Sequence, residues 1–445
     1  VQRPLATVVI GGLLVATFLT LFVLPVLYIL LNKIKSSATI KSIFIPFFIF
    51  LSIGNCVHAQ STISLKAAID SALKNNLLLK NQQYLTDYYQ QLQKSAYEIP
   101  NPSLGFEYGQ INSSFLDKRF GITQTIAFPT VYKQQHILQK QYMEQSTINA
   151  MAKQKDIEKQ ITQLFFQINY LKEKNKLLTI YDSLYKEVIS KIKFKLQKGD
   201  ADVIELNNTL LIEEQLILQL SKLKSDLDIA ILQFNWLLNT QDSYIPDPDI
   251  LKLSVPLIID TQAVETHPEV ASLIKQKSII QTHYALEKAR LIPSLNFGYY
   301  TMSMIGQGAD NIYYNAKKQF QSILFGLNFP VFLKAPLSKI KAEKIQISIA
   351  ENQLAYKSSE LKNELKKEIV KVKNQLNVIK FYEQTSLSKI DELIKINNIK
   401  YYNGTISYPE WVSYLNNTII TRSNYLDAIN ELNQTIIQIN YLTNQ

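Results

Sequence analysis

Two stretches about 200 residues apart alternate large apolar positions with small or polar ones. One runs from Phe120 to Pro129 and the other from Gln321 to Pro330, and each stops at a Phe-Pro. Phe120, Ile122, Ile126 and Phe128 fall on one face of the first, opposite Gly121, Thr123, Thr125 and Ala127. Ile323, Phe325, Leu327 and Phe329 fall on one face of the second, opposite Ser322, Gly326 and Asn328, with Leu324 breaking the rule. A period of two predicts strands with one oily face. In a soluble sheet that face covers a core; in a membrane barrel it meets lipid while the small face lines water.

Around these strands the period changes to that of helices. Ser64 caps a helical pattern running to Ala96, which Pro100 and Pro102 end. Leu104, Phe106 and Tyr108 mark a strand, Asn112 to Ser114 a turn, and the Phe120 strand returns. From Pro129 to about Lys198 the pattern is helical, and Ile157, Ile161, Leu164, Ile168 and Leu171 step along it as a coiled-coil seam. Gly199-Asp200 breaks it, and a helix from Ala201 to Leu238 runs back. Residues 240–268, with four prolines, read as a connector.

The order then repeats. A helix from Pro268 to Arg290 precedes a strand over Leu295 to Ser303, a loop rich in Gly, Asn and Tyr, and the Gln321 strand. A helix from about Pro336 to Tyr402 carries Leu361, Leu365, Ile369, Val372, Leu376 and Ile379 on its seam. Gly404 breaks it, and a helix from Pro409 to Leu442 returns. The reading is mainly α with a small β part, and its unit of helix, strand, strand, very long helix, Gly turn and helix is written twice. Four amphipathic strands cannot close a barrel in lipid, where about eight is the minimum and open edges leave backbone groups unpaired. Three copies pool twelve strands.

Upstream, Leu5 to Leu31 is long and apolar enough to span a bilayer, and Lys33, Lys35 and Lys41 place its end in the cytoplasm. Ile43 to Ile53 has the length of a signal-peptide core, and Val57-His58-Ala59 suits cleavage between Ala59 and Gln60. Lipidation of Cys56 is the rival, although Asn55 stands where such signals favour Gly, Ala or Ser. The expected segments are 1–35 transmembrane, 36–59 signal-like, 60–240 first repeat, 241–268 connector and 269–445 second repeat.

Charge and chemistry change this picture little. The net charge of +10 comes from lysines dispersed among Glu and Gln, as solvated helix faces require; the other reading is a nucleic-acid patch, for which no aromatic-basic motif appears. One cysteine excludes a disulfide framework. His58, His136, His267 and His283 form no close pair, so satisfied histidines compete with metal ligation. Met302 and Met304, two positions apart and so expected on one strand face, suggest either copper or a barrel-packing or loop role. No nucleophile elbow, phosphate loop or HExxH motif occurs, so no catalytic, cofactor or metal residue is assigned. Asp200 and Asp202, near a helix reversal, read either as a charged constriction or as a helix cap, with Asp200 the capping residue and Ala201 the first of the helix.

Two resemblances follow from these residues. Val1 to Gly12 and Leu21 to Tyr28 resemble the last transmembrane helix of heavy-metal efflux pumps of the resistance–nodulation–division (RND) class, over residues 1–32. The arrangement suggests a pump fused to an exported protein. Residues 60–445 resemble the TolC-type outer-membrane efflux family in their Pro-Ser-Leu strand starts, Phe-Pro strand ends and two helix-reversing glycines. Pro409 and Trp411 depart from that pattern. Membership implies a homotrimeric duct in the outer membrane of a Gram-negative bacterium, reaching through the periplasm. It would comprise a 12-stranded β-barrel and a long α-helical coiled-coil barrel, with hairpin tips at Gly199 and Gly404 docking a periplasmic adaptor and an inner-membrane RND pump. The first resemblance adds heavy-metal cations as cargo and an inner-membrane site for residues 1–32. A periplasmic coiled-coil adaptor or structural protein is the alternative; adaptors join their helical hairpins to soluble β-domains.

Overall fold

The computed structural model describes residues 61–112, 114–248, 251–255, 260 and 262–444, and the isolated residue 26. The chain divides into two units, 1–59 and 60–445. The expected membrane segment, the signal-like run, Cys56 and the Ala59–Gln60 junction lie outside the described residues.

The second unit begins with β1 (Ser61–Ile63), α1 (Leu65–Asn75) and α2 (Leu77–Lys94). Ser64 caps α1, its Oγ accepting from the Ala67 N–H at 3.4 Å. The single helix expected over 64–96 is divided at Asn76, whose backbone is extended and whose Oδ1 accepts from the Leu78 N–H at 2.9 Å. A side-chain amide that competes for the backbone donors of the next turn restarts a helix as a cap.

Then come β2 (Ser103–Gly109), β3 (Asp117–Ile126), α3 (Pro129–Gln197) and α4 (Val203–Leu238). With 69 residues, α3 is about 100 Å long. Its expected seam is the buried one: Ile157, Ile161, Ile168 and Leu171 are inside and Leu164 is half-buried. The connector holds β4 (Tyr244–Pro246) and a short 3₁₀ turn (Ala263–Thr266).

The second half supplies α5 (Pro268–Ala289), β5 (Ser294–Ser303), β6 (Gly306–Gln307), β7 (Tyr313–Tyr314) and β8 (Gln319–Asn328). The β6–β7 hairpin occupies what reads in the sequence as plain loop. The long helix expected over 336–402 is two, α6 (Lys334–Phe381) and α7 (Leu387–Tyr402), joined by a π-helical turn at Tyr382–Ser386. Helix α8 (Tyr408–Leu442) completes the unit.

The connector is held by side-chain amides. Asn235 of α4 grips Tyr244, donating to its carbonyl at 2.9 Å and accepting from its N–H at 2.7 Å. Asn433 of α8 donates to the Leu251 carbonyl at 2.7 Å and accepts from the Leu253 N–H at 2.8 Å. β1 and β4 pair in parallel across more than 180 positions, Ser61 opposite Tyr244. These bonds give an irregular segment the backbone partners it would otherwise lack.

Candidate functional site: the sheet faces and the helical tips

The four long strands form one antiparallel sheet in the order β2-β3-β5-β8. The central pair, β3 with β5, joins the two halves of the chain. Both outer strands keep one edge unpaired among the described residues.

Register sorts the side chains into two faces. Leu104, Ile122, Tyr299 and Ile323 stand in one row, with Ile126, Leu295 and Leu327 in another on the same side. This face lies open: Ile323 is 86% exposed and Phe325 64%. Leaving such side chains in water costs about 1.5–3 kcal/mol each relative to burial, so the face requires an apolar cover. Phe120 and Ile122 are exposed on it and Ile126 is half-buried. Phe128 and Phe329 are exposed but lie past the strand ends, because β3 stops at Ile126 and β8 at Asn328. Phe128 instead occupies the N-cap position of α3, before Pro129.

The opposite face is small and polar. A Cβ on Gly121 would meet the Tyr300 ring at 2.4 Å, so the ring lies across the bare backbone. Arg119 stacks on that ring at 4.4 Å and reaches Glu107 at 3.4 Å. Leu324, the exception to the alternation, fits here because Gly298 faces it; a Cβ on Gly298 would stand 3.2 Å from that of Leu324.

At the far end of the long helices both reversals have the same geometry. Gly199 (φ +80) and Gly404 (φ +72) are left-handed. In the first, the Gly199 N–H donates to Leu196 and the Asp200 N–H to Lys195; in the second, the Gly404 N–H donates to Tyr401 and the Thr405 N–H to Lys400. Both are Schellman motifs. The cap of α4 is Asp202, whose Oδ1 accepts from the Ile204 N–H at 3.0 Å, not Asp200 as the sequence suggests. The Schellman motif takes up the Asp200 backbone and delays the helix to Val203.

The two departures near the second reversal have structural reasons. Pro409 lies in the first turn of α8, where its missing N–H has no helical partner to lose. Glu410 accepts from both the N–H and the Oγ of Ser407 at 2.8 Å, and these bonds hold its carboxyl below the usual range. Trp411 is buried, stacked on Tyr401 at 5.1 Å, with its indole N–H on Asn398 at 2.9 Å. Tyr401 donates to Glu205 of α4 at 3.1 Å, Tyr408 bonds Thr209, and the Tyr185 hydroxyl of α3 donates to Asn416 at 2.7 Å. An aromatic cluster therefore ties the two helical hairpins together behind their tips. The sequence shows its members but not their meeting, since they come from four helices.

Among the described residues no group of three or more His, Cys, Asp or Glu is placed to hold a metal. His136 stacks on Tyr97, and the Nε2 of His283 bonds the Tyr142 hydroxyl at 2.9 Å. Met302 and Met304 do not share a strand face, because β5 ends at Ser303. The Met302 sulfur accepts from Asn112 at 3.6 Å. No described helix is long and apolar enough to cross a membrane.

A family model described as the AcrB/AcrD/AcrF family matches residues 1–32. No curated protein matches the chain. Solved structures do. OprN, an outer-membrane channel, is 12% identical with a TM-score of 0.72, over 85% of this chain and 89% of that one. CusC, described for its folding and transmembrane channel formation, is 14% identical with a TM-score of 0.69, over 87% and 94%. The CmeC outer-membrane channel of Campylobacter jejuni is 14% identical with a TM-score of 0.70, over 85% of each. With its duplicated strands, its four-stranded antiparallel sheet and its two long hairpins, the chain has the fold of the TolC-type outer-membrane channels.

Proposed function

We propose that the chain is the outer-membrane exit duct of a tripartite efflux system. Three copies pool their strands into a twelve-stranded barrel, and their helices form a tube reaching into the periplasm. The observation that carries this reading is the sheet: four strands, two open edges and one mostly apolar face, interrupted by Gln124, Thr301 and Gln321, with no cover among the described residues. A barrel completed by two further copies pairs the edges and gives that face lipid. Transport through it is passive, and the tips around Gly199 and Gly404 meet an adaptor and an inner-membrane pump. Heavy-metal cations are the proposed cargo, on the resemblance of residues 1–32 to the end of a metal pump. Those residues would sit in the inner membrane if retained.

One complementation experiment tests assembly and cargo together. A strain lacking the gene receives the chain with one cysteine on the β2 edge and one on the β8 edge. The expected result is an oxidised trimer in the outer-membrane fraction and restored tolerance to copper, silver, zinc, cobalt or cadmium. A monomer in the soluble fraction defeats the duct; a trimer without restored tolerance defeats only the metal cargo.

Asp200 is proposed to contribute a ring of carboxylates at the tips. Asp200→Ala leaves the Asp202 cap in place and so separates charge from capping. The expected result is raised single-channel conductance in planar bilayers. Conductance equal to wild type removes Asp200 from the constriction.

A further inference from the structure

His267 is the residue through which the connector passes into α5. It is 1% exposed. Its Nδ1 accepts from the Glu269 N–H at 3.3 Å, so the imidazole is the N-cap of the helix, with Pro268 at the first position. A neutral ring that accepts at Nδ1 carries its proton on Nε2, and Nε2 is buried with no hydrogen-bond partner.

The surroundings come from several elements. Tyr441 of α8 meets the ring edge-on at 4.9 Å and donates to Glu269 at 2.9 Å. Lys357 of α6 pairs with Glu269 at 2.7 Å, and Lys159 of α3 lies over Tyr441 at 4.3 Å. The charges bearing on His267 are Glu269 from α5, Lys357 and Glu364 from α6, and Lys159 from α3. Glu265 of the 3₁₀ turn is engaged by Lys362 at 2.9 Å.

A second proton has one place to go, Nδ1, and a protonated Nδ1 cannot accept from Glu269. Protonation therefore removes the cap and leaves a buried cation whose two N–H groups lack acceptors, a combination that folded proteins avoid. We propose that His267 is a proton-operated latch at the junction of the connector with α3, α5, α6 and α8. Neutral, it caps α5 and holds the connector; protonated, it frees the first turn of α5. The latch does not depend on what the chain conducts.

The direction of the pH effect follows from burial, which holds the imidazole below its ordinary value against the pull of Glu269. The fold favours the neutral ring. Its contribution is complete above the unfolded value of about 6.5 and is lost as pH falls below it toward the folded value. Glu269, itself held below the usual carboxylate range, titrates in a lower window.

The test is amide exchange on the full chain in detergent, corrected for intrinsic rates, at the Glu269 and Val270 amides. Between pH 7.5 and 5.5, wild-type opening at these amides is expected to rise by up to about tenfold per pH unit below 6.5. His267→Asn and His267→Ser provide neutral caps that do not titrate, and both should exchange at rates independent of pH in that window. The latch is overturned if wild type shows no step, or if either folded variant keeps the wild-type step.

Discussion

Ile323→Lys is expected to reach the periplasm and fail to enter the outer membrane. Ile323 is near the middle of β8 and is the most exposed apolar side chain of the sheet, at 86%. Lysine on the lipid face of a barrel at mid-depth costs about 2–4 kcal/mol. A threefold barrel repeats the charge three times, for a total of about 6–12 kcal/mol, comparable with the whole stability of a typical domain at about 5–15 kcal/mol. Ser322 is its neighbour on the opposite face, in the row of Tyr300. Ser322→Lys therefore points its charge into the bore and should insert as wild type does. Fractionation of outer membranes with the two variants side by side reads the difference. If both insert equally, the assignment of the apolar face to lipid is wrong.

The second large effect is at the reversals. At Gly199 and Gly404 the space a Cβ would occupy is empty, so substitution there meets no neighbour and acts only through the backbone. A left-handed conformation costs an L-residue about 1–2 kcal/mol, and β-branching raises that further. Gly199→Val with Gly404→Val is expected to deform the tips and abolish cross-linking to the adaptor, while outer-membrane trimers form in normal amount. Asparagine is the informative control, since this chain already holds Asn239 and Asn444 at positive φ. The Gly→Asn pair should retain cross-linking. If the Val pair cross-links as well as wild type, the turn geometry is irrelevant to docking.

Much of this architecture is legible without coordinates because its signals are local. The Phe120 and Gln321 strands show a period of two, the seam from Ile157 to Leu171 a period near 3.5, and Gly199 and Gly404 stand where a left-handed residue is required. What the sequence hides depends on distant partners. β1 is three residues long and pairs with a strand on the far side of four helices. Asn235 and Asn433 read as ordinary polar positions until the backbone of the connector reaches them. The break at Asn76 is a choice between two local hydrogen bonds that helical periodicity does not resolve. Asp200 and Asp202 are equally good caps by composition, and only the Schellman bonds decide between them.

The wide turn at Tyr382–Ser386 bears on the phase of the whole second hairpin. Upstream, the inward positions of α6 are Leu361, Leu365, Glu368, Val372 and Ile379. Downstream they are Ile390, Asn397 and Tyr401. Ile390 stands 29 positions after Leu361, and Tyr401 stands 29 after Val372, each one more than four sevens. The lower helix is thus written one letter late, and the extra residue is swallowed by a single broad coil. Deleting any one residue from that coil would return it to an unbroken α-helix. It would also swing everything below through about 100°, carrying Tyr401 away from Glu205 of α4 and turning the end of the shaft to face the wrong way.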